Sequence, residues 1–489
     1  MDPRTPVLVG VAAVSQREED PSRAVEALTL MERALEAAAE DAGTRALLSN
    51  ADSIRAPRGF WTYGDPGRAL ADRFGAKVRT QVAEVGVLQT TAFGRAAADI
   101  AAGDCDIILL TGAEAKYRSL RAQITGTPIE DSAADGEPDE VLRPAAEIMS
   151  PLEITHGLGM PAAQYAMIDN AIRAADGLTV DAHRDQVAEL WASMSAVAVR
   201  NPDAWNRTPT DAATIRGTAA GGGANRMIAF PYTKLHNSQW NVDQAAGLIF
   251  CSLGRARALG IPDERFIYPL AVADNNHMVT LSERAELHRS PGFQHAGRAA
   301  MARAEVVPGD VTHRELYSCF PSAVRVQQRE LGIDPALPVT LTGGMTFGGG
   351  PLNNFVLQAL VKMAQTLREA PGSTGMVNAV SGLLTKQGVS LWASRPPNGA
   401  FAHDDVSAAT AETAPSVAVT PDVSGAGTIA TYTVSFEGDE PVRASMIVDL
   451  DGGGRTVTSS TERDVCDTLL GEEGCGRAVH LELGHVRLR

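Results

Sequence analysis

No apolar run in this sequence approaches the roughly 18 residues that a membrane-spanning helix needs, and none follows the N-terminus as a secretory leader would. Met1-Asp2-Pro3-Arg4 passes directly into a strand-like stretch, Val7 to Val11. A cytoplasmic location is therefore expected. Cysteine is scarce. Cys105, Cys251, Cys319, Cys466 and Cys475 are scattered, odd in number and without CxxC spacing. That pattern excludes a disulfide framework and a structural zinc site, and no metal is expected. Positive charge is also in deficit, and a net charge of −16 argues against nucleic acid as the main partner.

What the sequence does contain is ample material for folded cores. Its 489 residues, 44% of them hydrophobic, are enough for about three domains. Short apolar runs such as Ile107-Ile108-Leu109-Leu110 and Leu248-Ile249-Phe250 alternate with alanine-rich stretches of period near 3.6. This is the pattern of an α/β protein whose mixed sheet is covered on both faces.

The order of elements repeats. A helix at Ala27 to Ala42, strands near Ser53 to Arg55 and Thr80 to Gly86, a helix at Thr91 to Ala102 and a strand at Asp106 to Gly112 are expected in the first half. The second half offers a helix at Gly297 to Ala304, a strand at Glu315 to Tyr317 and a helix at Ser322 to Leu331. A strand at Val339 to Leu341, a helix at Leu352 to Leu367 and a strand at Gly375 to Val380 complete it. Two such units in one chain point to duplication. Beyond Arg395-Pro396-Pro397 the composition shifts to Ala, Thr, Ser and Asp, with alternating runs at Thr428 to Phe436, Ala444 to Leu450 and Val479 to Leu488. These predict a separate small β domain, barrel or sandwich.

The segment Gly343-Gly344-Met345-Thr346-Phe347-Gly348-Gly349-Gly350-Pro351 lies between an expected strand and an expected helix. Its glycines let backbone approach a ligand, and the following helix start offers free N–H groups. It has no side chain able to move a proton.

Four segments carry a resemblance in the same order along the chain. The helix Thr91 to Ala102 ends in Gly103-Asp104 and leads to Ile107 to Glu114. Asn237-Ser238-Gln239-Trp240-Asn241-Val242-Asp243 stands where an Asn-Ala-Ser-Gly-Leu-Asn-Asp motif would. Tyr317-Ser318-Cys319-Phe320 matches an Asn-Glu-Ala-Phe motif, and Gly343 to Pro351 a Gly-His-Pro motif. Residues 1 to about 395 thus resemble the thiolase superfamily, and with the β tail they resemble actinobacterial thiolase-like proteins of type 1. The resemblance implies a duplicated five-layer α-β-α-β-α fold. It assigns 1–114, completed by 230–260, to the N-terminal half, 115–229 to a loop-domain insertion and 261–395 to the C-terminal half. A small OB-like β domain would occupy 398–489.

Thiolase chemistry needs a nucleophilic cysteine at a helix start, a histidine that activates it, a second cysteine that moves a proton at the substrate α-carbon, and oxyanion donors. Carried over residue by residue, the nucleophile position falls on Gly86, the histidine on Gly350 and the second cysteine near Val380. Only the backbone of Gly382 is left there as a possible oxyanion donor. Cys319 stands where sterol-carrier-type thiolases place an acid/base cysteine, though cysteine is so often buried that simple packing is favoured. Tyr317 matches the tyrosine of lipid-transfer-type members, which cleave β-hydroxyacyl-CoA by retro-aldol chemistry; a packed ring is the plain alternative. Gly348, Gly349, Gly382, His236 and Asn237 are the residues expected against coenzyme A. Trp240 would line or narrow the pantetheine tunnel, or pack in the core.

The implied function is binding of coenzyme A or acyl-CoA in a degenerate thiolase site, without Claisen or thiolytic turnover, in lipid or acyl-CoA metabolism. The alternatives are an active acyltransferase or retro-aldol lyase using Tyr317 and Cys319, and a non-catalytic scaffold. No covalently bound cofactor is implied, the partner is a coenzyme A thioester, and the assembly is a monomer or homodimer.

Overall fold

The computed structural model describes residues 1–217 and 223–488. Three sheets organise them. The first runs in the order β1 (Pro6–Gln16), β8 (Asp243–Ser252), β4 (Ile107–Ala115), β2 (Ser53–Pro57), β3 (Arg79–Ala83) and β5 (Glu140–Leu142). The second runs β10 (Val311–Glu315), β11 (Thr374–Ser381), β12 (Lys386–Ala393), β9 (Tyr268–Asn275) and β13 (His403–Asp405).

The duplication expected from the element order is explicit in the pairing. In the first sheet β8 pairs antiparallel with both β1 and β4, and β2 pairs parallel with β4. In the second, β12 pairs antiparallel with both β9 and β11, and β10 pairs parallel with β11. Helices Gln89–Ala102 and Phe355–Glu369 pack between the two sheets, while Ala27–Asp41 covers the outside of the first and Pro291–Ala304 the outside of the second. The layers are therefore α-β-α-β-α. Strands β8 and β12 are buried along their whole length, because helices cover both faces. Helix Ala27–Asp41 buries Leu28, Met31, Leu35 and Ala38, residues spaced three or four apart that form one apolar stripe.

Three second-half expectations differ from the structure. The strand expected at Glu315 to Tyr317 lies earlier, as β10, and residues 339–341 form no ladder. Leu316 N–H donates to the Val339 carbonyl at 2.9 Å, but the next backbone groups turn to a side chain. Glu315 accepts from Leu341 N–H at 2.6 Å and Thr342 N–H at 2.8 Å. A carboxylate thus replaces the strand pairing. The helix expected from Leu352 begins at Phe355, after one turn at Gly344–Phe347 and a 3₁₀ turn at Leu352–Asn354.

The short strands β6 (Met227–Ala229) and β7 (Tyr232–Thr233) pair antiparallel with each other. The tail is an antiparallel sheet in which β14 (Gly425–Glu437), β15 (Glu440–Leu450) and β16 (Arg455–Ser460) form a meander and β17 (Ala478–Glu482), paired with β18 (His485–Leu488), joins the other edge of β14. The run read as one strand, Val479 to Leu488, is a hairpin turning at Leu483-Gly484. Helix Arg463–Gly471 covers the meander with Val465, Cys466 and Leu469. The tail is joined to the stretch from His156 to Asn170 by several bonds. Asn170 Nδ2 donates to the Tyr432 carbonyl at 2.9 Å, Thr431 Oγ1 to the Met167 carbonyl at 2.6 Å, and Ser445 Oγ to the His156 carbonyl at 2.6 Å. Residues 403–405, on the tail side of the composition shift, add an edge strand to the second sheet. Among the described residues, no helix is long and apolar enough to cross a membrane.

Candidate functional site

The two central helices begin close together, and this places the glycine positions of the two halves side by side. Gly86, with φ of +100°, turns the chain three residues ahead of helix Gln89–Ala102. Gly343, with φ of +95°, turns the chain at the start of the glycine-rich segment of the second half. Gln89 Nε2 donates to Asn353 Oδ1 at 3.0 Å, and Asn353 Nδ2 donates to the Arg58 carbonyl at 2.8 Å. The helix starts are thereby tied together with their positive dipole ends facing the same region.

Around the glycine turn the expected segments do converge. Gly350 N–H donates to the Gln239 carbonyl at 2.8 Å, Gln239 N–H to the Met345 carbonyl at 3.0 Å, and Ser238 Oγ to the Cys319 carbonyl at 2.9 Å. Gly348 accepts at its carbonyl from Gln244 Nε2 at 3.0 Å. The turn is tightly enclosed. A Cβ on Gly349, whose φ is +107°, would lie 2.0 Å from Gln244 Oε1, and one on Gly350 would lie 3.1 Å from Ser238 Cβ. Space that a histidine would need at position 350 is taken by Ser238 and Gln239. The turn's amides are spent on the same packing: Met345 N–H donates to Ser318 Oγ at 3.1 Å, and Gly343 and Gly344 N–H both donate to Thr340 Oγ1 at 3.0 Å.

Neither ionisable candidate on the Tyr317-Ser318-Cys319-Phe320 segment is poised to move a proton near neutral pH. Burial pushes the Cys319 thiol up to about 12, and the residue is 7% exposed. Burial also raises Tyr317, whose ring meets Phe355 edge-on at 5.8 Å. Behind them Phe320 stacks between Tyr165, at 4.5 Å, and Tyr232, at 5.9 Å.

His236 and Asn237 sit beside this cluster, with most of their polar atoms engaged internally. His236 Nδ1 accepts from Thr233 N–H at 3.1 Å, and Asn237 Nδ2 donates to the Thr233 carbonyl at 2.7 Å. Burial lowers the His236 pKa to about 3, and its Nε2 has no partner among the described residues. Trp240 is not in the core. It is 47% exposed, meets Phe60 edge-on at 5.8 Å, and has the Lys116 ammonium 3.6 Å from its ring centroid.

The third glycine position reveals a residue the sequence reading missed. Val380 is buried in β11 opposite Gln387. The loop after it holds Gly382, Leu383 and Leu384 all at positive φ, +60°, +59° and +64°. That loop delivers Lys386, 1% exposed, to Gly86, whose carbonyl accepts a hydrogen bond from its Nζ. Pro144 and Ile148 close over the other side of Gly86. No carboxylate pairs with Lys386 among the described residues, and burial lowers its pKa. The signal available beforehand was a lone lysine opening an otherwise apolar strand. No cluster of His, Cys, Asp or Glu suited to a metal ion occurs among the described residues.

No family model matches the chain. A curated acetyl-CoA acetyltransferase of Methanothermobacter thermautotrophicus is 24% identical over 301 residues, 58% of this chain and 70% of that protein. Among solved structures, a monomeric SCP2-thiolase-like protein of type 1 from Mycobacterium smegmatis superposes with a TM-score of 0.84 at 29% identity, covering 100% of this chain and 99% of that one. An Ltp2-ChsH2(DUF35) aldolase superposes with a TM-score of 0.60 at 19% identity, over 80% of this chain and 99% of that one. The acetyl-CoA acetyltransferase of Syntrophomonas wolfei gives a TM-score of 0.54 at 18% identity, over 80% and 99%.

Proposed function

We propose that this chain, which resembles the thiolase superfamily along its whole length, binds coenzyme A or an acyl-CoA thioester in a thiolase-type site without carrying out Claisen condensation or thiolysis. The observation that carries the reading is the pairing of a retained frame with three vacated positions. The two helix starts, the Asn237 to Gln239 segment and the glycine turn are packed together, while Gly86, Gly350 and Val380 offer neither a thiolate nor an imidazole. A covalent acyl-enzyme needs a nucleophile with a depressed pKa. Cys319, with its thiol pushed up to about 12, is the opposite. Gly348, Gly349, Gly382, His236 and Asn237 are the residues we assign to the coenzyme A side of the site, in a role within lipid or acyl-CoA metabolism.

Two measurements on the same preparation test this. Calorimetry with coenzyme A and acetoacetyl-CoA should show binding, and thiolysis of acetoacetyl-CoA should stay at the uncatalysed rate. Absence of binding at millimolar ligand sinks the assignment, as does turnover that Cys319→Ala abolishes.

A further inference from the structure

Lys386 is a buried amine without a carboxylate partner among the described residues. Its Nζ reaches the carbonyl of Gly86, the vacated nucleophile position, from the loop that has lost the second cysteine. A Cβ on Gly382 would lie 3.7 Å from Lys386 Cε, so the side chain runs from the Gly382 turn to the Gly86 carbonyl. A lysine this buried normally pairs with a carboxylate; this one has only a backbone carbonyl. Burial lowers its pKa, the direction that favours the nucleophilic neutral form of an amine. The loop that aims it is strained. Leu383 and Leu384 are consecutive non-glycine residues in the left-handed region, a conformation each adopts at a cost and which clusters at functional sites.

We propose that Lys386 forms an imine with the ketone carbonyl of a 3-oxoacyl thioester, which rests on the reading that the site takes coenzyme A thioesters. The neutral amine adds to the ketone carbon, making a C–N bond. The C–O bond then breaks, and the oxygen leaves as water with one amine proton and one proton from solvent, so that the other amine proton stays on the imine nitrogen. A protonated imine there would draw electrons from the neighbouring carbon as the lost nucleophile and histidine no longer can. Pro144 and Ile148, which cover Gly86, have to move aside for the ketone to enter.

The test is reductive trapping. The full-length protein is incubated at pH 7 with acetoacetyl-CoA, and separately with acetoacetate, in the presence of cyanoborohydride, which adds hydride to the imine carbon and fixes a secondary amine. Intact mass and peptide mapping locate the adduct, and calorimetry with coenzyme A is run alongside. The expected result is a single adduct on Lys386, reduced at least tenfold in Lys386→Arg and Lys386→Met while other lysines label as before. Labelling of Lys386 by acetoacetate without coenzyme A binding keeps the imine and removes the thioester reading. Coenzyme A binding with no adduct on Lys386 from either probe overturns the imine alone, and failure of binding and labelling together overturns both.

Discussion

Asp274 Oδ2 and His403 Nε2 stand 2.8 Å apart, and this contact ties three parts of the chain to one buried carboxylate. Thr90 and Thr91, on the first turn of helix Gln89–Ala102, donate to the same group at 2.5 and 2.6 Å. Asp274 lies on β9 of the second half, and His403 on the edge strand that leads into the tail. One carboxylate therefore fixes the start of a central helix against the opposite sheet.

The pair should leave a signature in pH-dependent stability. Burial by itself lowers the His403 pKa, but the hydrogen bond and charge of Asp274, with Asp404 and Asp405 nearby, outweigh it and raise the value above 6.5. A histidine raised on folding stabilises the protein fully below its unfolded value and ceases to do so as pH rises through the folded one. Urea midpoints should therefore decline as pH rises through and above 6.5, and His403→Gln should flatten that limb. Asp274→Ala, which strands His403 and both threonine hydroxyls, should cost about 3 kcal/mol. A variant within about 0.5 kcal/mol of the parent would show that the carboxylate does not organise this junction.

Glu315 does for the glycine turn what Asp274 does for the helix start. Besides Leu341 and Thr342 N–H, it accepts from Thr340 Oγ1 at 2.8 Å and Thr342 Oγ1 at 2.9 Å. Removing it leaves four donors without their acceptor, so Glu315→Ala should lower stability by about 3 kcal/mol. Burial still outweighs these bonds and raises its pKa to about 7. The sign follows: a carboxyl raised on folding makes the folded state hold its proton longer, so stability from this group falls between pH 4.5 and about 7. Glu315→Gln should remove that decline when urea midpoints are compared across the window.

How far these features were legible in the sequence depends on whether the information was local. The helices Ala27–Asp41 and Gln89–Ala102 and the strands around Ile107 and Leu248 follow from apolar periodicity, and the structure has them in place. The duplication was legible because it repeats element order. The strand at residues 339–341 was not, since its ladder is displaced by a side chain 26 residues away that no periodicity reveals. The tail hairpin was missed because Leu483, at φ of +49°, is a poor turn signal. Gly86, Gly350 and Val380 were singled out by likeness to motifs alone. Lys386 was not, because a lysine in a strand is ordinarily solvent-facing and only the three-dimensional loop turns it inward.

Cys319 gives a direct chemical prediction. With its thiol pushed up to about 12 by burial, almost none of it is thiolate at pH 7.5, and alkylation depends on the thiolate. Iodoacetamide should leave Cys319 unmodified in the folded protein and modify it readily in urea, as read by peptide mass. Rapid labelling in the native state would mean that the residue is activated, and would reopen an acyl-transfer role for it. Cys319→Ala should cost only about 1 to 2 kcal/mol, the loss expected for trimming a small buried side chain.

His236 provides the opposite pH dependence from His403. Its Nδ1 accepts from Thr233 N–H, which places the ring proton on Nε2, and protonation of Nδ1 would break that bond inside a buried site. Burial accordingly lowers its pKa to about 3. A histidine depressed on folding contributes stability that is complete above 6.5 and is lost as pH falls from 6.5 toward 3, because the unfolded chain takes up the proton first. His236→Asn keeps an acceptor near the Nδ1 position but cannot titrate. Its urea midpoint at pH 7 should lie within about 1 kcal/mol of the parent's in free-energy terms, while its decline between pH 6.5 and 4.5 should be shallower. Parallel declines in the two proteins would assign the acid sensitivity to other groups and leave the histidine protonated in the fold, free to hydrogen-bond a ligand through both ring nitrogens.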